Sequence, residues 1–181
     1  MYSTQSANDF KYFLQTKRLG FRLWTEDDLH LALDLWGDNA VTELIGGPFT
    51  TEKIHERFSH EMKNMRLYNL QYWPIFSLET GEHIGCCGFR PYDKEKYIIE
   101  IGFHIRPKFW RQGFGREAAD AVISYAFCNS NVTKIFAGHH PKNVASCRLL
   151  EQLGFQYTHY EYYPPTGLQH PSYILTKEQH C

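Results

Sequence analysis

Two glycines constrain the middle of this chain more than any other feature. Gly113 and Gly115 lie in Trp110-Arg111-Gln112-Gly113-Phe114-Gly115-Arg116-Glu117-Ala118-Ala119. A strand pattern at 98–105 precedes them, with Ile99, Ile101, Phe103 and Ile105 on one face and Ile98, Glu100, Gly102 and His104 on the other. A helical pattern follows to about Phe127, with Ala119, Val122, Ile123 and Ala126 on one side. A strand leading through glycines into a helix sets free backbone N–H groups and the positive end of a helix dipole at the junction, where phosphate is favoured.

The remaining pattern is mixed. Leu19, Phe21 and Leu23 alternate as a strand, and Thr25-Glu26-Asp27-Asp28 resembles a capping box before Leu29, Ala32, Leu33 and Trp36. Gly46-Gly47-Pro48 breaks the chain, and a second helix runs from Thr50 toward Tyr68 with Ile54, Phe58, Met62 and Met65 aligned. Tyr72 to Glu79 and His83 to Arg90 read as a hairpin turning at Thr80-Gly81, with Pro74 suited to an edge or bulge. After Ile98 to Ile105 and the glycine helix come a short strand at Lys134 to Gly138 and a helix capped by Asn143 and ended by Gly154. Phe155 to Tyr163 and Tyr173 to Thr176 form a last strand pair around Pro164-Pro165-Thr166-Gly167. The expected class is a mixed α+β domain of about seven strands and about four helices. Residues 1–15 are expected to be loosely ordered, and 16–181 to form one domain.

Composition narrows the function. The 181 residues are 43% hydrophobic and 16% aromatic, ample for one core, with a formal net charge of −1. That balance argues against nucleic acid or an anionic membrane as main partner. The polar stretch at 1–9 has no signal-peptide pattern, and no apolar run is long enough to span a bilayer. Cys86, Cys87, Cys128, Cys147 and Cys181 are an odd set without C-x-x-C spacing, as expected of reduced thiols in a cytoplasmic protein.

The glycine segment admits three readings. As a dinucleotide fingerprint, G-x-G-x-x-A fails: seven residues separate strand and first glycine, and the region around Ile135 to Gly138 lacks the required acid. As a P-loop it fails for want of G-K-[ST]. As a plain turn it needs no ligand. His139-His140 does not complete a metal site, because adjacent histidines in a strand do not converge on one ion.

Together with Thr16-Lys17-Arg18-Leu19-Gly20-Phe21-Arg22, Ile98 to Phe103, and Asn143-x-x-Ser146 followed by Leu150-x-x-Leu153-Gly154-Phe155, the segment resembles the GNAT superfamily of acyl-CoA-dependent N-acetyltransferases. The match runs from about Thr16 to Thr176. The closer likeness is to the branch of ribosomal-protein alanine N-acetyltransferases, whose W-x-x-G-x-A/G and E-A pair correspond to Trp110, Gly113, Gly115 and Glu117-Ala118.

The resemblance implies a largely antiparallel sheet splayed after its fourth strand at His104-Ile105, with acetyl-CoA in the gap. Its pyrophosphate would meet Arg111, Gln112, Gly113, Phe114, Gly115 and Arg116, while Asn143 would bond the pantetheine and His104 would lie beside it. Glu100 is the candidate general base and Ile105 N–H the candidate donor to the thioester oxygen. The family's usual tyrosine is missing from 143–156, so Ser146 is the candidate proton donor to the thiolate. Glu100 alternatively serves as a structural carboxylate, and Asn143 and Ser146 as helix-capping residues. The implied reaction is direct acetyl transfer from acetyl-CoA, without a metal, to a primary amine on a protein N-terminus or a small molecule. The rival is a non-catalytic acyl-CoA-binding or interaction domain with the same fold. Either a monomer or a homodimer is compatible with the exposed aromatics.

Overall fold

The computed structural model describes residues 12–180. The expectations for residues 1–9 and for Cys181 fall outside that range. Eight strands form one sheet in the order β1-β2-β3-β4-β5-β6-β8-β7: Leu14–Gln15 (β1), Leu19–Phe21 (β2), Tyr72–Ser77 (β3), His83–Asp93 (β4), Ile98–Ile105 (β5), Lys134–Gly138 (β6), Gln156–Tyr163 (β7) and Leu168–Thr176 (β8). All neighbours are antiparallel except β5 and β6. The eighth strand is β1, within the segment expected to be loose. Leu14 and Gln15 pair with Phe21 and Gly20, and Phe13 packs edge-on against Trp73 and Tyr125.

Six helices flank the sheet: Leu29–Trp36 (α1), Asn39–Thr42 (α2), Thr51–Tyr68 (α3), Phe114–Asn129 (α4), Val144–Gln152 (α5) and Lys177–His180 (α6). The four longest are those read from periodicity, while α2 and α6 are single turns too short to show a period. The expected caps form. Asp28 accepts from Thr25 N–H at 2.8 Å, Thr50 caps α3 through Lys53 N–H at 3.2 Å, and Asn143 accepts from Ser146 N–H at 3.0 Å.

Strand alternation divides the buried residues between the two faces of the sheet. One face of the sheet, with Ile75, Phe89, Ile99 and Ile101, packs on α4 and α5 through Ala118, Val122, Ile123 and Leu150. The other face, with Tyr72 and Cys86, packs on α1 and α3 through Leu35, Trp36, Ile54 and Phe58. Two prolines sit inside the sheet by one shared device. Pro74 in β3 accepts from Arg22 N–H at 3.4 Å, and Pro171 in β8 accepts from His139 N–H, also at 3.4 Å. Arg22 and His139 are the first residues beyond β2 and β6, so each proline lacks its N–H where the neighbouring ladder has already ended. Pairing of Leu168 to Pro171 with Tyr160 to Tyr163 of β7 starts β8 at Leu168, five residues before the strand that its apolar run suggests.

Candidate active site

The sheet opens in its middle. β5 pairs with β6 only through Ile98, Ile99 and Glu100, and from Ile101 onward that side of β5 has no strand partner. Arg106 N–H bonds Ile84 O of β4 at 2.9 Å. By alternation, Ile105 and Phe103 turn their backbone groups away from β4, toward the gap. The Ile105 carbonyl is taken by the Trp110 indole N–H at 2.6 Å, which straps the loop before α4 to the end of β5. The splay expected from the resemblance is present.

A cleft of about 930 Å³ fills the gap. Glu100, His104, Ile105, Arg111, Gly113, Phe114, Gly115, Arg116, Asn143 and Ser146 all line it. Gln112 does not. Its carbonyl accepts from Arg18 at 3.1 Å and its side chain donates to Lys108 O at 2.9 Å, so it shapes the loop from behind.

At one end stands the start of α4. Arg111 and Gly113 both have positive φ, 59° and 81°, and Gly113 at the N-cap supplies no side chain to the helix. The first-turn N–H groups therefore stay available. A Cβ on Gly115 would find nothing closer than Leu149 at 3.7 Å, so the space before the backbone is open. Arg111 and Arg116 are exposed and add positive charge. Open N–H groups, a dipole end and two guanidinium groups beside a splayed strand fit the pyrophosphate and amides of an acyl-CoA.

At the other end the β5 face carrying Glu100, Gly102 and His104 meets α1 and α3. Gly102 is needed for close approach, because a Cβ there would lie 2.3 Å from the Tyr72 ring. Burial raises the Glu100 carboxyl above its ordinary range, with Glu161 adding to the rise and Arg90 and Arg57 opposing it. Burial, then Arg57 and Arg90, hold the His104 imidazole well below its ordinary value. Trp36 Nε1–H, which can only donate, points at His104 Nδ1 at 3.3 Å. His104 Nδ1 thus accepts, which sets the neutral Nε2–H tautomer and excludes a base through Nδ1.

Several residues lining or lying beneath the cleft escaped sequence reasoning. Glu61 is fully buried, accepts from Tyr72 N–H at 2.8 Å and forms an ion pair with Arg90. Arg57 lies over the Trp36 ring at 4.9 Å and lines the cleft. The signal was present on α3: Arg57 and Glu61 take the i+3 and i+7 places of the stripe Ile54-Phe58-Met62. Charges inside an apolar stripe mark a polar site under the helix. From β4 and β7, Tyr92 and Glu161 meet across the gap at 3.0 Å, with the Tyr92 ring stacked on Phe136 at 3.9 Å. His139 and His140 line the cleft too. Their Nδ1 atoms face His140 O at 2.8 Å and Lys142 N–H at 3.1 Å respectively.

Comparison with known proteins agrees with this geometry. The family model for the acetyltransferase (GNAT) domain matches residues 18–156. The uncharacterized N-acetyltransferase p20 of Bacillus licheniformis is 32% identical over 145 residues, covering 79% of this chain and 82% of that protein. The spermidine N-acetyltransferase of Vibrio cholerae, solved with CoA and spermine, superposes with a TM-score of 0.76 at 16% identity, over 91% of this chain and 99% of that one. The ribosomal-protein-S5-alanine acetyltransferase of Vibrio fischeri gives a TM-score of 0.70 at 16% identity, over 92% and 97%. Those two share the fold. No helix among the described residues is long and apolar enough to cross a membrane. The chain belongs to the GNAT family of acetyltransferases.

Proposed function

We propose that the protein transfers an acetyl group from acetyl-CoA directly to the primary amine of a small molecule or a protein N-terminus. The observation that carries this reading is the single cleft joining the open first turn of α4 to the buried Glu100 carboxyl along the unpaired side of β5. Acetyl-CoA supplies the acetyl group as a thioester. Gly113 to Arg116, with Arg111, hold its phosphates through backbone N–H groups and charge, and Asn143 holds the pantetheine. Glu100, kept basic by its raised pKa, accepts the proton that the amine must lose. Ile105 N–H is the donor to the acyl oxygen. Ser146 Oγ, on the first turn of α5 and lining the cleft, returns a proton to sulfur.

The test is calorimetric titration with acetyl-CoA, with NADH as control, followed by release of CoA thiol in the presence of amines. Saturable binding of acetyl-CoA alone, lost in Gly113→Glu, is expected. Turnover that falls in Glu100→Gln while binding persists separates an enzyme from a binding module. Folded protein that ignores acetyl-CoA defeats the reading.

A further inference from the structure

We propose that Arg57 binds an oxyanion carried by the acceptor, so that the preferred substrate is an amine bearing its own carboxylate or phosphate. This rests on the acetyl-transfer reading and adds the acceptor's chemical class.

Two arginines, Arg57 and Arg90, line the α1–α3 half of the cleft. Arg90 is neutralised by Glu61, whose other oxygen holds Tyr72 N–H. Glu161 accepts from Tyr92. Arg57 has no direct partner: among the described residues no carboxylate, Glu100 included, lies within 4.0 Å of its guanidinium, and no described residue accepts a hydrogen bond from it. Its Nε is buried without a partner, while its terminal nitrogens face the cleft. Trp36 and Phe49, 4.9 and 5.8 Å from the guanidinium carbon, fix its plane. Burial, and after it the neighbouring Arg90, disfavour the charged form, with Glu61 opposing them in part. A part-buried guanidinium with no ion-pair or hydrogen-bond partner of its own is costly unless a ligand completes it. A rigid planar fork suits carboxylate or phosphate.

The position suits a zwitterion. Arg57 acts electrostatically on both Glu100 and His104, so an anion on Arg57 lies beside the place where the amine must meet its base. Arg57 and Arg90 also disfavour a protonated amine and so favour the nucleophilic form. The phosphates of the donor lie at the α4 end, which is formed by other elements.

The experiment measures CoA release from acetyl-CoA with each proteinogenic L-amino acid against its α-amide, and with O-phosphoethanolamine against ethanolamine. At least one anionic acceptor is expected to exceed its neutral partner in kcat/KM by about tenfold or more, the scale of a charge-assisted contact. The pair showing that preference tells carboxylate from phosphate. Arg57→Gln should reduce the preference to less than about threefold, and Arg57→Lys should retain part of it. Acetyl-CoA affinity should be unchanged in both, which also reports that the variants are folded. Neutral amines or C-terminally amidated peptides used as well as the acids would overturn the inference and leave the acetyl-transfer reading standing. So would a preference unmoved in Arg57→Gln, turnover of none of the anionic acceptors, or acetyl-CoA affinity lost with Arg57. Wild-type protein that fails to bind acetyl-CoA would overturn both.

Discussion

Arg18 and Glu117, 99 positions apart, tie the start of β2 to the first turn of α4 through three contacts. Arg18 Nε and Nη2 each reach Glu117 Oε2 at 2.6 Å, and the Arg18 backbone N–H reaches Oε1 at 3.0 Å. Thr16 Oγ1 adds a bond to Oε1 at 2.6 Å, Arg18 Nη1 holds Gln112 O, and the guanidinium lies 4.2 Å above the Phe114 ring. Burial alone would raise the Glu117 carboxyl, but the bonds from Thr16 and Arg18 outweigh it and bring it below its ordinary value. A carboxylate in the first turn of α4, beside the proposed phosphate position, is thus directly paired with a guanidinium.

That arrangement predicts opposite electrostatics for the two partners. Arg18→Ala uncovers Glu117 beside the proposed phosphate position and should weaken acetyl-CoA about tenfold, roughly the effect of one unscreened like charge. Glu117→Gln should weaken it by less than about threefold. The double variant should recover most of the affinity lost in Arg18→Ala. The stability cost of either single change should stay near 1 kcal/mol, because Arg18 is largely exposed. Calorimetry on the three variants checks the cycle, and additive losses would refute charge cancellation.

Glu100 gives a prediction with two signs. As the base, it should set a limb of the kcat/KM profile above the ordinary carboxylate range, and Glu100→Gln should lower turnover about 100-fold or more while removing that limb. Its folded pKa is raised, so its burial is best tolerated when protonated, and stability declines as pH rises through the folded value. Glu100→Gln should therefore melt higher than the parent at neutral pH and at the same temperature well below the carboxylate range. A variant less stable at neutral pH would show that the carboxylate is instead structural.

How legible this was follows from where periodicity works. The β5 alternation placed Glu100, Gly102 and His104 on one face, and the glycines with Asn143 and Ser146 marked the two helix starts; all of these line the cleft. Each signal is local in sequence. Arg57 and Glu61 were legible only as charges inside the apolar stripe of α3, and what they and Arg90 do depends on packing α3 against β3 and β4. Glu161 was missed because β7 is exposed along most of its length, so an acid there looks ordinary until Tyr92 meets it across the splay. Leu14–Gln15 was missed because a two-residue strand has no period; aromatic packing by Phe13 holds it in place.

Tyr92 offers a test of that crossing. Burial, then the bond to Glu161, raises its phenol to about 12, so it stays protonated and donates at neutral pH. Tyr92→Phe keeps the stacking on Phe136 and removes only the bond to Glu161. The expected result is a KM for the amine raised about three- to tenfold with acetyl-CoA affinity unchanged, on the scale of one hydrogen bond. An effect confined to acetyl-CoA would place Tyr92 on the donor side.

Arg22 and Asp28, on the face opposite α4, form an ion pair expected to contribute to stability in acid. Arg22 Nη1 and Nη2 grip the two Asp28 oxygens at 2.6 and 2.7 Å, and Thr25 adds N–H and hydroxyl bonds at 2.8 Å. Burial would raise the carboxyl, but these bonds dominate and lower it from 3.8 to about 2. For a depressed acid the stabilisation is complete above the unfolded value and disappears as pH falls through the folded one. Linkage puts it at about 2 kcal/mol near neutrality, with roughly half gone by pH 3. Asp28→Asn should therefore lower the urea-unfolding free energy by about 2 kcal/mol at pH 7 and by about 1 kcal/mol at pH 3. A gap that stays constant between those pH values would assign the loss to helix capping by Asp28 and not to its charge.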